Sequence, residues 1–413
     1  MTRVAFSGQQ KTQLALIAAV QILVMACWFS ASAVVPALRA DWGISASQST
    51  LLTVAVQIGF VTGALASAAF NVADMFPAHR VMAVSAVVAA VSTGIIAVAV
   101  DSLGPAVALR FLTGLALAGV YPTGLKMMTS WFTTGRGWAV GVLVGALTVG
   151  SALPQLINSF AALPWRAVLI VAALLAALGA TLAWAFARSG PLTRPAPPFN
   201  PRYIFTLFAQ RGPRLANLGY FGHMWELYAV WTWIPAYVAA TLTAAGASTP
   251  YDASRTLVGV ISFTVIGVAG VVGCLAGGAL GDRYGRARVA GWAMRISATC
   301  CLLAALAFGQ SPYLVVPILA LWGASVIADS GLFSSCVADV VDPRYVGTAL
   351  TLQTAIGFAL TIVTIQAVPV VVDLAGWPAA TVVLALGPIA GAVSMSKLAT
   401  LMDEGSTSSP TTA

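Results

Sequence analysis

Gly278-Ala-Leu-Gly-Asp282-Arg283-Tyr-Gly285-Arg286-Ala-Arg288 is a short charged stretch wedged between two long apolar runs. It reads G-x-L-x-D-R-x-G-R-x-R. A decayed copy, Asn71-Val-Ala-Asp74-Met-Phe-Pro77-Ala-His79-Arg80, lies 208 positions earlier. It keeps the acid and the last arginine, with Met75 in place of Arg283 and Pro77 in place of Gly285. A second pair has the same offset, since Arg136 follows the fourth apolar run and Arg344 the tenth. One unit of six apolar runs therefore occurs twice.

The bulk properties define the surroundings of that repeat. Only 8% of the 413 residues are charged and 59% are hydrophobic. Apolar stretches of this length identify an integral membrane protein, and their continuity, without alternation, excludes a β-barrel. The pattern predicts an all-α fold of about twelve helices of about 20 residues each. They lie at roughly 13–36, 49–70, 79–101, 105–131, 137–160, 166–187, 215–241, 256–280, 288–310, 313–340, 346–372 and 378–400. Residues 1–188 form the first six-helix bundle and 215–401 the second. The Pro- and Arg-rich stretch 189–214 reads as an extended linker, and 402–413 as a disordered tail.

The net charge of +8 is a topology signal rather than a nucleic-acid signal. With the N-terminus in the cytoplasm, fifteen of the 20 basic residues fall on that side, three on the other and two inside helices. This positive-inside bias places both termini and the linker in the cytoplasm, as in a bacterial-type inner membrane. The first run is read as a span and not as a cleaved leader. All five cysteines lie inside spans and read as small packing residues, so neither disulfides nor metal ligation are expected.

The Gly278–Arg288 string resembles the signature loop of the major facilitator superfamily of secondary transporters. That resemblance implies two six-helix halves related by a pseudo-twofold axis, with solute bound between them near the midplane and alternating access by rocking. Asp74, Arg80, Gly278, Asp282, Arg283, Gly285, Arg286 and Arg288 would then form a cytoplasmic gating latch. In it the acid caps the following helix and meets arginines. A turn made basic by topology alone is the plainer reading. Arg110-Phe-Leu-Thr-Gly114 is similar to the helix 4 motif of the superfamily's proton antiporters, although Thr113 replaces the usual glutamine. The adjacent Gly-Pro and Gly-Gly pairs of the antiporter helix 5 are missing here, where Gly141, Gly145, Gly150 and Pro154 stand instead. The Trp131–Gly137 loop and the Trp165-Arg166 pair resemble the cyanate- and nitrate-type permease branch. Nitrate itself is disfavoured, because helices 2 and 8 lack its arginines.

Charge in mid-membrane costs at least ~2.5 kcal/mol per group, so such residues are informative. Arg110 and Lys126 lie in helix 4, His223 and Glu226 in helix 7, and Asp329 in helix 10. The resemblance makes helices 1, 4, 7 and 10 the cavity-lining ones. By helical rise Glu226 and Asp329 lie roughly 15 Å from the cytoplasmic end, and His223 and Lys126 roughly 10–12 Å. Glu226, His223, Asp329 and Arg110 are the candidate proton-coupling residues, since burial favours the neutral form of a carboxylate. His223 and Glu226, three apart, are expected to share a face and pair. An interhelical ion pair of Lys126 with Asp329 or Glu226 is the structural alternative, and Arg110 could instead snorkel to the outer interface.

Lys126 is a candidate anchor for an anionic solute. Trp233 and Tyr237, in an unusually aromatic helix 7, are candidates for a stacking wall, with Tyr121 and Gln353 as further contacts. Gln21, Ser30, Ser32 and Gln366 are polar groups that could orient a solute or join helices. His223-x-x-Glu226 is not a zinc motif, and no cofactor is implied. The expected function is secondary transport of a small polar or anionic organic solute, coupled to protons, by a functional monomer in the bilayer. Efflux of an uncharged or amphiphilic compound is the alternative within the class. A membrane-embedded enzyme is the alternative outside it, with no hydrolase, zinc or diphosphate motif to support it.

Overall fold

The computed structural model describes residues 7–70, 72–132, 135–160, 163–192, 203–246, 251–342 and 345–407. Among these residues the secondary structure is helical, with no strand. Twelve long segments follow in chain order. The first bundle contains α1 Gly8–Met25, α2 Ala46–Ala69, α3 Ala78–Ala99, α4a Leu103–Leu117 with α4b Tyr121–Thr129, α5 Arg136–Phe160 and α6 Trp165–Phe186. The second begins with α7 Arg211–Ala244. Next comes α8, built from Tyr251–Phe263, a π-helical turn at Thr264–Val268, and Ala269–Tyr284. Then come α9 Arg286–Leu306, α10a Pro312–Ala328 with α10b Ser330–Val340, and a stretch Val346–Thr407 that Gly376 (φ 80°) divides into α11 and α12.

Local chemistry explains the ends. Ser7 with Gln10 and Ser45 with Gln48 form capping boxes that start α1 and α2. Pro77 and Pro164 stand just before α3 and α6. Gly285, at φ 92°, takes a backbone conformation that side chains resist, and turns α8 back into α9. The charged hairpin recognised in the sequence is therefore a tight helix–helix corner.

Nine stretches among the described residues are long and apolar enough to cross a membrane, and the last of them, Val346–Glu404, is the one bent at Gly376. Their outward faces carry exposed Val84, Val91 and Val98 on α3 and Leu174 and Leu178 on α6. Apolar surface on this scale requires lipid. The five cysteines are buried and not joined to one another.

In three places the chain departs from the expected boundaries. The 189–214 stretch contains a short helix, Ile204–Ala209, and α7 starts at Arg211. Tyr203 there stacks on Tyr345 with ring centroids 4.4 Å apart. α12 continues past Met402 to Thr407, with Asp403 held by Arg288 at 2.7 Å, so the tail is helical in part. α1 ends at Met25 rather than running on, because Cys27 and Trp28 bond back three residues and tighten the chain. The rest of the linker and residues 408–413 lie outside the described residues, as do Arg344 and the side chains of Asp74 and Arg136.

α1 packs on α5 and α6, α3 on α6, and α2 on α4a, while α7 packs on α11 and α12 and α9 on α12. These two groups meet where α5 lies on α8 and α2 on α11. The repeat is visible in contact detail. Gly114 of α4a lies against the Val56 carbonyl of α2, and Gly323 of α10a lies against the Val265 carbonyl of α8. Small residues at these crossings allow backbones to touch, the usual basis of close packing in lipid. A carbonyl cannot move aside for a Cβ as a flexible side chain can. Gly114→Val and Gly323→Val are each expected to cost about 1–3 kcal/mol by overpacking. Thermal unfolding of the purified protein in detergent should show the loss, whereas Gly104→Val, with open space around it, should not.

Candidate functional site

α10 breaks at Asp329, which closes α10a and opens α10b. Its carbonyl accepts from Leu332 and Phe333, so the backbone of the second segment is anchored on it. The Asp329 side chain reaches α7, where Oδ1 lies 2.9 Å from His223 Nδ1. Ser330 Oγ lies 2.8 Å from His223 Nε2, so both ring nitrogens are engaged. His223 and Asp329 are each 2% exposed. Phe333 and Tyr220 flank the imidazole, with ring centroids 5.2 Å and 6.1 Å away. A buried acid and a buried imidazole in contact can exchange a proton without either charge standing alone.

Glu226 is oriented differently from the expectation. Its Oε1 accepts from Ser297 Oγ at 2.7 Å, from Cys301 Sγ at 3.0 Å and from Trp322 Nε1, between α7, α9 and α10a. Residues three apart on a helix share a face yet can reach different neighbouring helices, and here they do. The acid that pairs with His223 is Asp329, not Glu226. The partners that hold the two acids thus come from α7, α9 and α10, while Lys126 is half-buried on α4b.

Arg110 is fully buried and does not snorkel. Its Nε donates to the Leu52 carbonyl at 3.2 Å. One terminal nitrogen donates to the Cys27 carbonyl at 2.7 Å and Ser30 Oγ at 3.3 Å, and the other to the Trp28 carbonyl. Two of these carbonyls, Cys27 and Trp28, belong to the turn that ends α1. The break in α1 therefore supplies the oxygens that make a guanidinium tolerable here, and the guanidinium holds the break.

Trp28, placed by that break, packs on Phe60 of α2, Tyr228 of α7 and Phe358 of α11, with centroids 5.0, 5.6 and 5.7 Å away. Phe60 and Phe358 are 4.5 Å apart. This aromatic cluster joins the two groups of helices. On one side of it Thr50 donates to Gln366 at 2.6 Å, Thr256 to the Ser159 carbonyl at 2.9 Å, and Arg255 to Asn158. Tyr220, earlier on α7, is buried beside His223. The search for charges in the sequence passed over Trp28, Phe60 and Phe358, which carry none. Trp28 just after the end of α1 was the available signal.

Several polar candidates are accounted for by protein partners. Trp233 donates to the Ile365 carbonyl at 3.0 Å and Tyr237 to the Ala304 carbonyl at 2.6 Å. Both line an apolar cavity of about 20 Å³ with Trp322 and Trp377, which is room for a water rather than a planar solute. Ser32 bonds Thr53 at 2.7 Å. Gln353 is buried with Nε2 unpartnered. Gln21 and Gln57 are fully buried with both amide atoms unpartnered, and Gln57 had escaped the sequence reading.

At the hairpin the acid also turns elsewhere than expected. A Cβ on Gly137 would lie 2.7 Å from both oxygens of Asp282, so the carboxylate sits over the first turn of α5, across the junction with the first bundle. It does not cap α9. Gly278 approaches the Gly137 carbonyl beside it. Arg286 pairs with Asp339 at 2.9 Å, Arg288 with Asp403 at 2.7 Å, and Arg283 lies over Tyr284. In the earlier copy Arg80 lies over Trp184, 5.8 Å from the ring centroid.

These features are the frame of one family. Residues 17–364 match the Major Facilitator Superfamily model, and the chain belongs to that superfamily. It is therefore a membrane-embedded solute transporter and not an enzyme. Over 278 residues it is 27% identical to the probable sulfoacetate transporter SauU of Cupriavidus necator, a stretch covering 61% of this chain and 60% of the relative. The match thus spans less than two thirds of that relative's length. The fold is similar to that of the human organic anion transporter MFSD10 (TETRAN), with TM-score 0.70 at 16% identity over 94% of this chain and all of the other. It is also similar to that of a mutant form of the nucleoside transporter NupG, with TM-score 0.67 at 17% identity, over 94% and 99%.

Arg110→Leu is expected to orphan the Trp28 carbonyl, at about 1–3 kcal/mol, and to take a second donor from the Cys27 carbonyl, which keeps Ser30, and from the Leu52 carbonyl inside α2. The purified variant should unfold several degrees lower in detergent. Arg110→Lys should not restore stability, because one ammonium cannot span the same oxygens.

Proposed function

We propose that this transporter moves a small organic anion by alternating access, coupled to protons through His223 and Asp329. The observation that carries the reading is the buried His223–Asp329–Ser330 contact at the break of α10. At the corresponding break of α4 the residue before the second segment is Val120, where α10 has Asp329. One half thus has a titratable pair where the other has an apolar residue. Protonation of Asp329 would loosen its hold on His223 and with it the packing of α10b on α7.

Lys126, on α4b, is the candidate anchor for the solute's negative charge, with Tyr121 and Gln353 as further contacts. The sulfoacetate transporter among the relatives supports a small anionic solute. Glu226 is proposed as a secondary proton site in the wall behind the pair, and Arg110 as a positioning residue for α1. Asp282 over α5, with Gly278 and the hairpin arginines, would be the latch that parts as the halves rock. Asp74 and Arg80 would serve in its counterpart. The charge bias supports both termini in the cytoplasm of a bacterial-type inner membrane. The aromatic cluster around Trp28 favours efflux of an amphiphilic compound as a second reading.

The test is proton flux into liposomes holding the purified protein, driven by a sulfoacetate gradient. Asp329→Asn and His223→Gln are expected to lose that flux at least tenfold while keeping sulfoacetate exchange. Glu226→Gln keeps an oxygen for its three donors and should lose less. Full proton flux in Asp329→Asn would end the coupling role of the pair.

A further inference from the structure

The two helix breaks differ in charge. Asp329 precedes α10b, so the chain itself sets a carboxylate near that helix's positive end, with Oδ1 turned to His223. α4b opens after Val120 and has no acid in its first turn. Backbone N–H groups at such an end lack intrahelical partners and favour an anion, the more so in a low-dielectric interior. Pro122 removes one of those donors, which leaves the amides of Tyr121 and Thr123.

A second observation points the same way. Gln21 of α1 is 0% exposed, and neither its amide nitrogen nor its oxygen has a partner. The end of its amide is aimed at this turn, because a Cβ added to Gly124 would lie 3.3 Å from Gln21 Oε1, and a half-turn about the last bond brings the Nε2–H donors there. Leaving a buried amide unpaired is costly, and the few such groups in a protein call for a ligand or another role. Tyr121, half-buried, is the first residue of this turn.

We propose that the opening turn of α4b, with the Gln21 amide and the Tyr121 hydroxyl, is the seat of the solute's anionic group, a single carboxylate or sulfonate. This rests on the transporter reading above and assigns its substrate chemistry. Tyr121 opens α4b beside the seat, so an acid placed there would fill the seat from within.

Binding to the purified full-length protein in detergent, read by calorimetry, tests this with sulfoacetate, methanesulfonate, acetate and the neutral acetamide. Anions should bind at least tenfold more tightly than acetamide, a comparison that needs no variant. The ratio of methanesulfonate to acetate tells which oxyanion the seat prefers. Gln21→Leu should weaken anion binding about tenfold or more, the worth of a hydrogen bond to a charged group, with its unfolding temperature unchanged. Tyr121→Asp should abolish anion binding in a protein that remains monodisperse. Equal binding of acetamide, or unaltered anion binding in Gln21→Leu, would overturn the seat. If sulfoacetate-driven proton flux still depends on Asp329 in that case, the coupling reading stands without the seat. If the Gln21 effect appears while Asp329→Asn keeps full flux, the seat stands and the coupling reading falls.

Discussion

A charge inside the bilayer must find its partner within the protein, and the interior of this chain is arranged around that constraint. Arg110 meets it with carbonyls freed where α1 ends, and Asp329 meets it with the imidazole of His223. In both cases a helix is interrupted. An unbroken helix has its carbonyls bonded internally and offers a buried cation at most a shared oxygen, as Leu52 of α2 does here. The breaks in α1 and α10 are thus linked to the charges beside them, and irregular backbone is tolerated in mid-membrane because protein surrounds it.

The repeat explains why the same architecture appears on both sides of the molecule and where the two sides differ. Gly114 on Val56 and Gly323 on Val265 are the same backbone contact in two copies. α4 and α10 both break, and the residues before their second segments, Val120 and Asp329, differ in charge. Glu226 belongs to neither break. It is fixed by three donors inside one bundle, so its place is in the wall rather than at the junction.

Contacts between the bundles are of two kinds. Around Trp28 they are aromatic and apolar, with few directional bonds. At the Asp282 corner the contact is a carboxylate over a helix N-terminus, strong only while the geometry is kept. Arg286 and Arg288 of the hairpin are bound within their own bundle, to Asp339 and Asp403. They stiffen the corner and leave the acid to cross.

The sequence by itself determined the class of the protein. Apolar runs of membrane length, a 208-residue repeat and a charged hairpin between runs specify a duplicated helical bundle in lipid, because the bilayer allows so few ways to satisfy the backbone. It also picked out Arg110, Lys126, His223, Glu226 and Asp329, since a buried charge is rare enough to be conspicuous. Spacing along a helix, however, shows only which side chains face the same way. It did not reveal that His223 turns to Asp329 while Glu226 turns to Trp322, that Asp282 reaches α5, or that Gln21 is left with an unpartnered amide. Those outcomes depend on which helix lies opposite at each height, and that is set by packing among segments far apart in the chain. Tertiary structure alone decided the pairs, because a hydrogen bond or ion pair is a fact of distance and not of order along the chain.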